Sequence, residues 1–216
     1  MTTISSIAQW SRLARKFPRS GEWPIFVAPD TFRWGRDRAA EEAFFETGVG
    51  IREVFHLGPS AWGVAEDDYC FECGNTRDRT GELSIESAQD DFVTLGELDV
   101  AADATSTPTV VRAARPCESL LEIEWPGILN IGWNPAEAMI ILRSWEDRFG
   151  AVPLSISDST LSLVVARPPR TIEEARMVAR EHFHFCPYDT QFHGFGGISP
   201  YVAKLVGSRV WNFWWD

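Results

Sequence analysis

Residues 133–150 read Trp133-Asn134-Pro135-Ala-Glu137-Ala-Met-Ile-Ile-Leu-Arg-Ser-Trp145-Glu-Asp-Arg-Phe149-Gly150, and this stretch decides the fold. The Asn134 side-chain oxygen is placed to cap a helix, and Pro135 falls at the first helical position, where its missing N–H costs nothing. Glu137 stands three residues after the cap, the spacing of a capping box. Ala138, Ile141, Leu142, Trp145 and Phe149 then recur at helical spacing and form one apolar face. Gly150 closes the helix, and a period-two pattern begins directly behind it.

Outward from that helix the second half of the chain is sharply patterned. Residues 152–157 and 160–166 alternate as two strands of a hairpin turned at Asp158-Ser159. Leu154 and Ile156 share a face, as do Leu161, Leu163 and Val165. Thr171 and Glu174 make a second capping box, which predicts a helix from Ile172 to Phe185 stopped by Pro187. Its expected buried stripe is Ile172, Ala175, Val178, Ala179 and His182. Ser199-Pro200 opens a short helix with Tyr201, Val202 and Leu205 facing inward and Gly207 as its C-cap. Trp211, Phe213 and Trp215 alternate, which predicts a final strand packed on the central helix.

The first half is less regular. Ile7, Trp10, Leu13, Ala14 and Phe17 predict a helix ended by Pro18-Arg19-Ser20-Gly21. Trp23-Pro24 leads into a strand from Ile25 to Ala28. Residues 37–47 suit a helix stopped by Gly48 and Gly50, and Ile51–Phe55 a strand. Gly58–Asp91 reads as turns around short strands. Residues 99–108 are small and polar and serve as the linker. They separate an N-terminal α+β region, 1–98, from a C-terminal domain, 105–216. In the latter, Thr109–Ala113 reads as a strand, Cys117–Glu124 as a short helix and Trp125-Pro126-Gly127 as a turn. The expected class is α+β, a small mixed sheet with the 135–149 and 172–185 helices on one face and an aromatic-rich C-terminal strand.

Composition bounds the function. The chain has 216 residues, 44% of them hydrophobic, and a formal net charge of -11. Such a field repels nucleic-acid phosphate and anionic membrane surfaces, and it suits a basic protein partner. No uninterrupted run of about 18 apolar residues is present. No basic region followed by an apolar run opens the chain at Met1, so a cytoplasmic location is expected. The four cysteines, Cys70, Cys73, Cys117 and Cys186, are then reduced. Ten tryptophans supply core, and also material for a binding cleft.

Several motifs of the second half occur together. Trp145-Glu-Asp-Arg-Phe-Gly-Ala151, Pro168-Pro169, Glu181-His182-Phe183-His184-Phe185-Cys186-Pro187 and Trp211-Asn-Phe-Trp-Trp-Asp216 stand in this order. The region 105–216 thereby resembles the bacterial domain of unknown function 4253. The tryptophan helix and Trp-Pro strand of the N-terminal part resemble longer members of that family. One departure is that the family's Cys-Pro-Asp is here Cys186-Pro187-Tyr188-Asp189. The resemblance implies an α+β fold and supplies no activity, substrate or cofactor.

Chemistry could reside between Glu181 and Asp189, and three readings compete. His182 and Cys186 could be a base and nucleophile one helical turn apart, which requires the helix to continue through Cys186 against the bias of Pro187. His182, His184 and Cys186 could bind a metal if the segment is extended, since on a helix His184 points away from the other two; Cys70 and Cys73 would add a thiolate pair, with Cys70, Cys73, His184 and Cys186 as the candidate ligands of a tetrahedral zinc site. Or the cluster is structural, with His182 a hydrogen-bonded core residue, Cys186 a small apolar group and Glu181 paired with Arg180 or a neighbouring helix. A pocket would gather Trp133, Asn134, Glu181, His182, Cys186, Asp189 and Trp215. Cys70-x-x-Cys73 follows Glu66-Asp67-Asp68, whose charge raises a thiol pKa and opposes a redox role. No phosphate-binding loop, dinucleotide fingerprint or nucleophile elbow occurs. The leading expectation is a non-enzymatic interaction protein with an acidic surface, one form being an immunity-type inhibitor of a basic toxin. The alternative is a small-molecule- or zinc-binding protein or enzyme using Glu181, His182 and Cys186.

Overall fold

A computed structural model describes residues 6–29, 31, 35–51, 53–54, 108–127, 133–186 and 198–214. Helix α1 (Ser6–Ala14) and the single turn α2 (Phe17–Ser20) precede strand β1 (Glu22–Val27) and helix α3 (Arg38–Glu46). Then follow β2 (Thr109–Arg112), α4 (Ser119–Glu122), α5 (Pro135–Phe149), β3 (Ala151–Ile156) and β4 (Thr160–Val165). Helix α6 (Ile172–Phe185), helix α7 (Ile198–Leu205) and β5 (Val210–Trp214) close the order. The fold is α+β. Among the described residues no helix is long and apolar enough to cross a membrane.

The five strands form one mixed sheet in the order β2-β1-β3-β4-β5. Only β1 and β3 run parallel. Strand β1, from before the small polar stretch, lies between β2 and β3 from after it. The β1–β3 ladder is short, pairing Phe26 with Ser155 and Val27 with Ile156. Pro24 and Pro153 lie ahead of it on the two strands, and neither has an N–H to give. Indoles take over there: Trp10 Nε1–H donates to the Pro24 carbonyl at 2.7 Å and Trp23 Nε1–H to the Pro153 carbonyl at 2.9 Å. Trp23 and Pro24 are therefore part of β1 rather than its approach.

The capping boxes of α5 and α6 both form, with Asn134 and Glu137 at one and Thr171 and Glu174 at the other. Gly150 ends α5 at φ 58, and a Cβ there would meet Ala166 Cβ at 2.8 Å, so glycine is required twice over. Trp145 from α5 stacks on Phe213 of β5 at 5.5 Å and meets Trp211 edge-on at 5.7 Å. From α6, His182 and Phe185 also reach Phe213. Helices α5 and α6 thus meet on the face of β5 that carries Trp211 and Phe213.

Four local expectations are corrected. Pro18 does not end the first helix. The break falls at Arg15-Lys16, and Pro18 sits in the first turn of α2, where no N–H is needed. Ile51, Glu53 and Val54 are helical, not extended. Glu53 accepts the Gly50 N–H at 3.1 Å, and this cap outweighs the strand preference of Ile and Val. The helix expected over Cys117–Glu124 narrows to Ser119–Glu122, because Glu124 turns to φ 59. Ile172 is 41% exposed, since it stands at the first turn of α6, ahead of the buried Ala175, Val178 and Ala179. The stretches Gly58–Asp91 and 99–107, with Cys70 and Cys73, lie outside the described residues.

Candidate functional site

Helix α6 gives Glu181, His182 and Cys186 three different hydrogen-bond partners, although Trp145 touches both Glu181 and His182. Successive helical residues are about 100° apart. Glu181 and His182 therefore point in different directions from α6, with Trp145 of α5 in contact with both. Both Glu181 oxygens face α5. Arg148 Nη1 donates to Oε1 at 2.8 Å, Arg148 Nη2 donates to Oε2, and Trp145 Nε1–H donates to Oε2 at 2.6 Å. Arg148 is fixed in turn by Ser144 Oγ at 2.9 Å. The carboxylate thus has an opposite charge and three donors, which make it a structural anchor.

His182 is fully buried in an aromatic cage. Its ring centre lies 4.5 Å from Trp211, 4.8 Å from Phe213 and 5.0 Å from Trp145. Nδ1 and the Tyr201 hydroxyl are 2.8 Å apart. Burial, and then the nearby Arg148 charge, hold its pKa well below the usual histidine value, so the ring is neutral at physiological pH. Its Nε2 and the Trp211 Nε1 are buried without hydrogen-bond partners among the described residues.

Cys186 does close the last turn, as a cysteine–histidine pair would need. Its N–H donates to the His182 carbonyl at 2.8 Å. Its thiol, however, donates to the Trp214 carbonyl at 3.2 Å. Trp133 is buried, and its indole donates to the Phe185 carbonyl at 3.0 Å. Asn134 is exposed and spends its side chain on the cap. His184 is buried. Asp189, Trp215, Cys70 and Cys73 lie outside the described residues. Among the described residues no three His, Cys, Asp or Glu side chains gather in a way that would hold a metal ion.

Sequence spacing pointed Glu181 to Arg180 or a neighbouring helix, and the neighbour, through Arg148, is the partner. Nothing local singled out Arg148 or Tyr201. A second ionic network was equally invisible. Arg36 bridges the buried Glu41 and Glu122, Arg38 also reaches Glu122, and Arg143 pairs with Glu118 while lying 4.0 Å over the Phe45 ring. Arg115 bonds Glu146 and Asp147, and Glu146 also takes the Cys117 N–H at 2.9 Å. Burial, helped by Glu146, pushes the Cys117 thiol well above its usual pKa and keeps it protonated.

These pairings leave the described residues balanced, with acidic and basic side chains one for one. The excess negative charge is concentrated between residues 55 and 107, where twelve Asp and Glu stand against two Arg. No curated protein and no solved structure matches the chain. The family model described as Domain of unknown function (DUF4253) matches residues 109–216, half of the chain, and the chain belongs to that family.

Proposed function

We propose that the protein is a non-enzymatic interaction module whose negative charge engages a basic protein partner, an immunity-type inhibitor of a basic toxin being one form. The observation that carries this reading is the charge: twelve acidic residues within 55–107, against a balanced remainder. A dense carboxylate stretch steers and retains a positively charged surface, with strong salt dependence. The separate commitments of Glu181, His182 and Cys186 to Arg148, Tyr201 and the Trp214 carbonyl favour structure over catalysis in that cluster.

The test is capture from the protein's own cell lysate by wild type and by a variant with Asp67, Asp68, Asp90 and Asp91 changed to Asn. A basic protein held by wild type at low salt, and weakly by the variant, is expected. No captured protein at either low or physiological salt overturns the reading.

A second reading, a small-molecule- or zinc-binding protein or an enzyme centred on Glu181, His182 and Cys186, draws support from the unpartnered, buried His182 Nε2. A native mass spectrum of protein purified without chelator decides the zinc form. Added mass of one zinc that is lost on Cys186→Ser or Cys70→Ser would carry it.

A further inference from the structure

Residues 6–20 carry Arg12, Arg15, Lys16 and Arg19 and no acidic residue. All four are exposed. Arg15 gives one N–H to Ser11 Oγ at 3.2 Å. None of the four meets a carboxylate among the described residues. Arg36, Arg38, Arg115, Arg143 and Arg148, by contrast, are each paired with an acid. The opposite side of α1 is consumed by the core. Trp10 is fully buried, crosses Trp23 edge-on at 5.5 Å and bonds Pro24. The helix is therefore fixed with its basic face outward. Arg112, also exposed, stands opposite Glu22 just beyond α2 and extends the face.

The chain's negative excess lies in the stretch that joins Val54 to Pro108. The stretch between Val54 and Pro108 returns at Thr109, which pairs with Ile25. Strand β2 is four residues long, so that return point lies roughly 10 Å from the Arg112–Glu22 end of the ladder. A stretch of this length spans such a gap many times over. Tethering raises the local concentration to the order of millimolar, so individually weak ion pairs are populated. The same tethered carboxylates repel a nucleic-acid phosphate from the face.

We propose that the basic face of α1 and α2 holds the chain's own acidic stretch, the carboxylates between Glu66 and Asp103, in an intramolecular, salt-sensitive contact. No second protein is needed, so this contact stands or falls separately from the partner reading above.

The test is zero-length carbodiimide cross-linking of the full chain, with linked peptides identified from the monomer band. Lys16 is expected to couple to carboxylates of 66–103 at low salt. The yield falls about fivefold or more near 1 M salt, where the screening length is about 3 Å. The triple variant Arg12→Gln, Arg15→Gln, Arg19→Gln keeps Lys16 and exposes only solvent-facing changes, and it should lose the link to a similar degree. An undiminished link in that variant overturns the proposal. So does a link from Lys204 to the same stretch as strong as that from Lys16. A link confined to the dimer band also overturns it, since the occupant would then be a second copy.

Discussion

Replacing Glu181 with Gln tests whether the cluster on α6 is a structural anchor. Glu181 and Arg148 are 10% and 13% exposed, so the pair lies largely out of water. Gln keeps one oxygen for the Trp145 indole, but it removes the charge and turns the other acceptor into an NH2 donor facing Arg148. What remains is a buried guanidinium with Ser144 Oγ for company. Breaking a buried pair by deleting one partner costs about 3–5 kcal/mol, against a total fold stability of about 5–15 kcal/mol. With a urea dependence near 3 kcal/mol/M, the unfolding midpoint should fall by about 1–1.7 M. The assay is urea unfolding followed by tryptophan fluorescence, for which the six fully buried tryptophans supply the signal. The double variant Glu181→Met, Arg148→Met removes both charges. It should cost less than the sum of the single changes, retaining about 1–3 kcal/mol for the unmatched Trp145 N–H. A midpoint shift below about 0.3 M for Glu181→Gln would refute the reasoning, since such a value suits a solvated surface pair.

Three further outcomes follow from the geometry. Because folded His182 resists protonation while the unfolded chain takes a proton near pH 6.5, its contribution is present above that pH and is lost as pH falls. The loss runs at up to about 1.4 kcal/mol per pH unit below that point, so stability should fall from pH 6.5 toward pH 5, and His182→Gln should flatten the slope; parallel slopes would contradict it. A Cβ at Gly127 would stand 2.3 Å from the Trp125 ring, which is pinned by its bond to the Ser157 carbonyl at 2.7 Å. Gly127→Ala should therefore cost about 1–3 kcal/mol in the same unfolding assay, and an unchanged midpoint would show that the ring gives way. Finally, a 105–216 fragment lacks β1, which lies between β2 and β3 and brings the Trp23 indole to Pro153; it should show no cooperative unfolding transition, and a sharp one would support the boundary at 99–108 as a division between independent units.

What could be read from the sequence was local. The α5 and α6 boundaries rest on caps and boxes written within four residues of each helix start, and both were legible to the residue. Strand β5 was legible because Trp211 and Phe213 alternate with polar or exposed neighbours. The strand expected at Ile51 failed because two apolar residues with high strand preference outweigh, on paper, a glycine and glutamate cap that fixes the backbone. The long-range half of the fold left no local mark. Nothing near Trp23 says that its indole must serve Pro153, 130 residues on, or that β1 will run parallel to β3. The site shows the same limit. Glu181, His182 and Cys186 are close in sequence and look like one constellation. Their hydrogen-bond partners, Arg148, Tyr201 and the Trp214 carbonyl, are different and come from other elements.

Net charge is the property most easily misplaced, because composition averages over position. The value of -11 suggests an acidic surface everywhere, yet the described residues are balanced and the excess sits within 55–107. This separation makes salt a discriminating probe. The described residues rely on aromatic burial and on ion pairs that are either buried, such as Arg148–Glu181, or partly exposed, such as Arg38–Glu122. Buried pairs are poorly screened, and exposed ones contribute little, about 0–1 kcal/mol each. Raising salt from low values to near 1 M should therefore move the urea midpoint of the full chain by less than about 0.5 M. Any contact made by the acidic stretch, to α1 and α2 or to a basic protein, should be lost over the same range. A fold that weakens in step with those contacts would mean that the acidic stretch helps to hold the sheet together, and the charge would then belong to stability rather than to recognition.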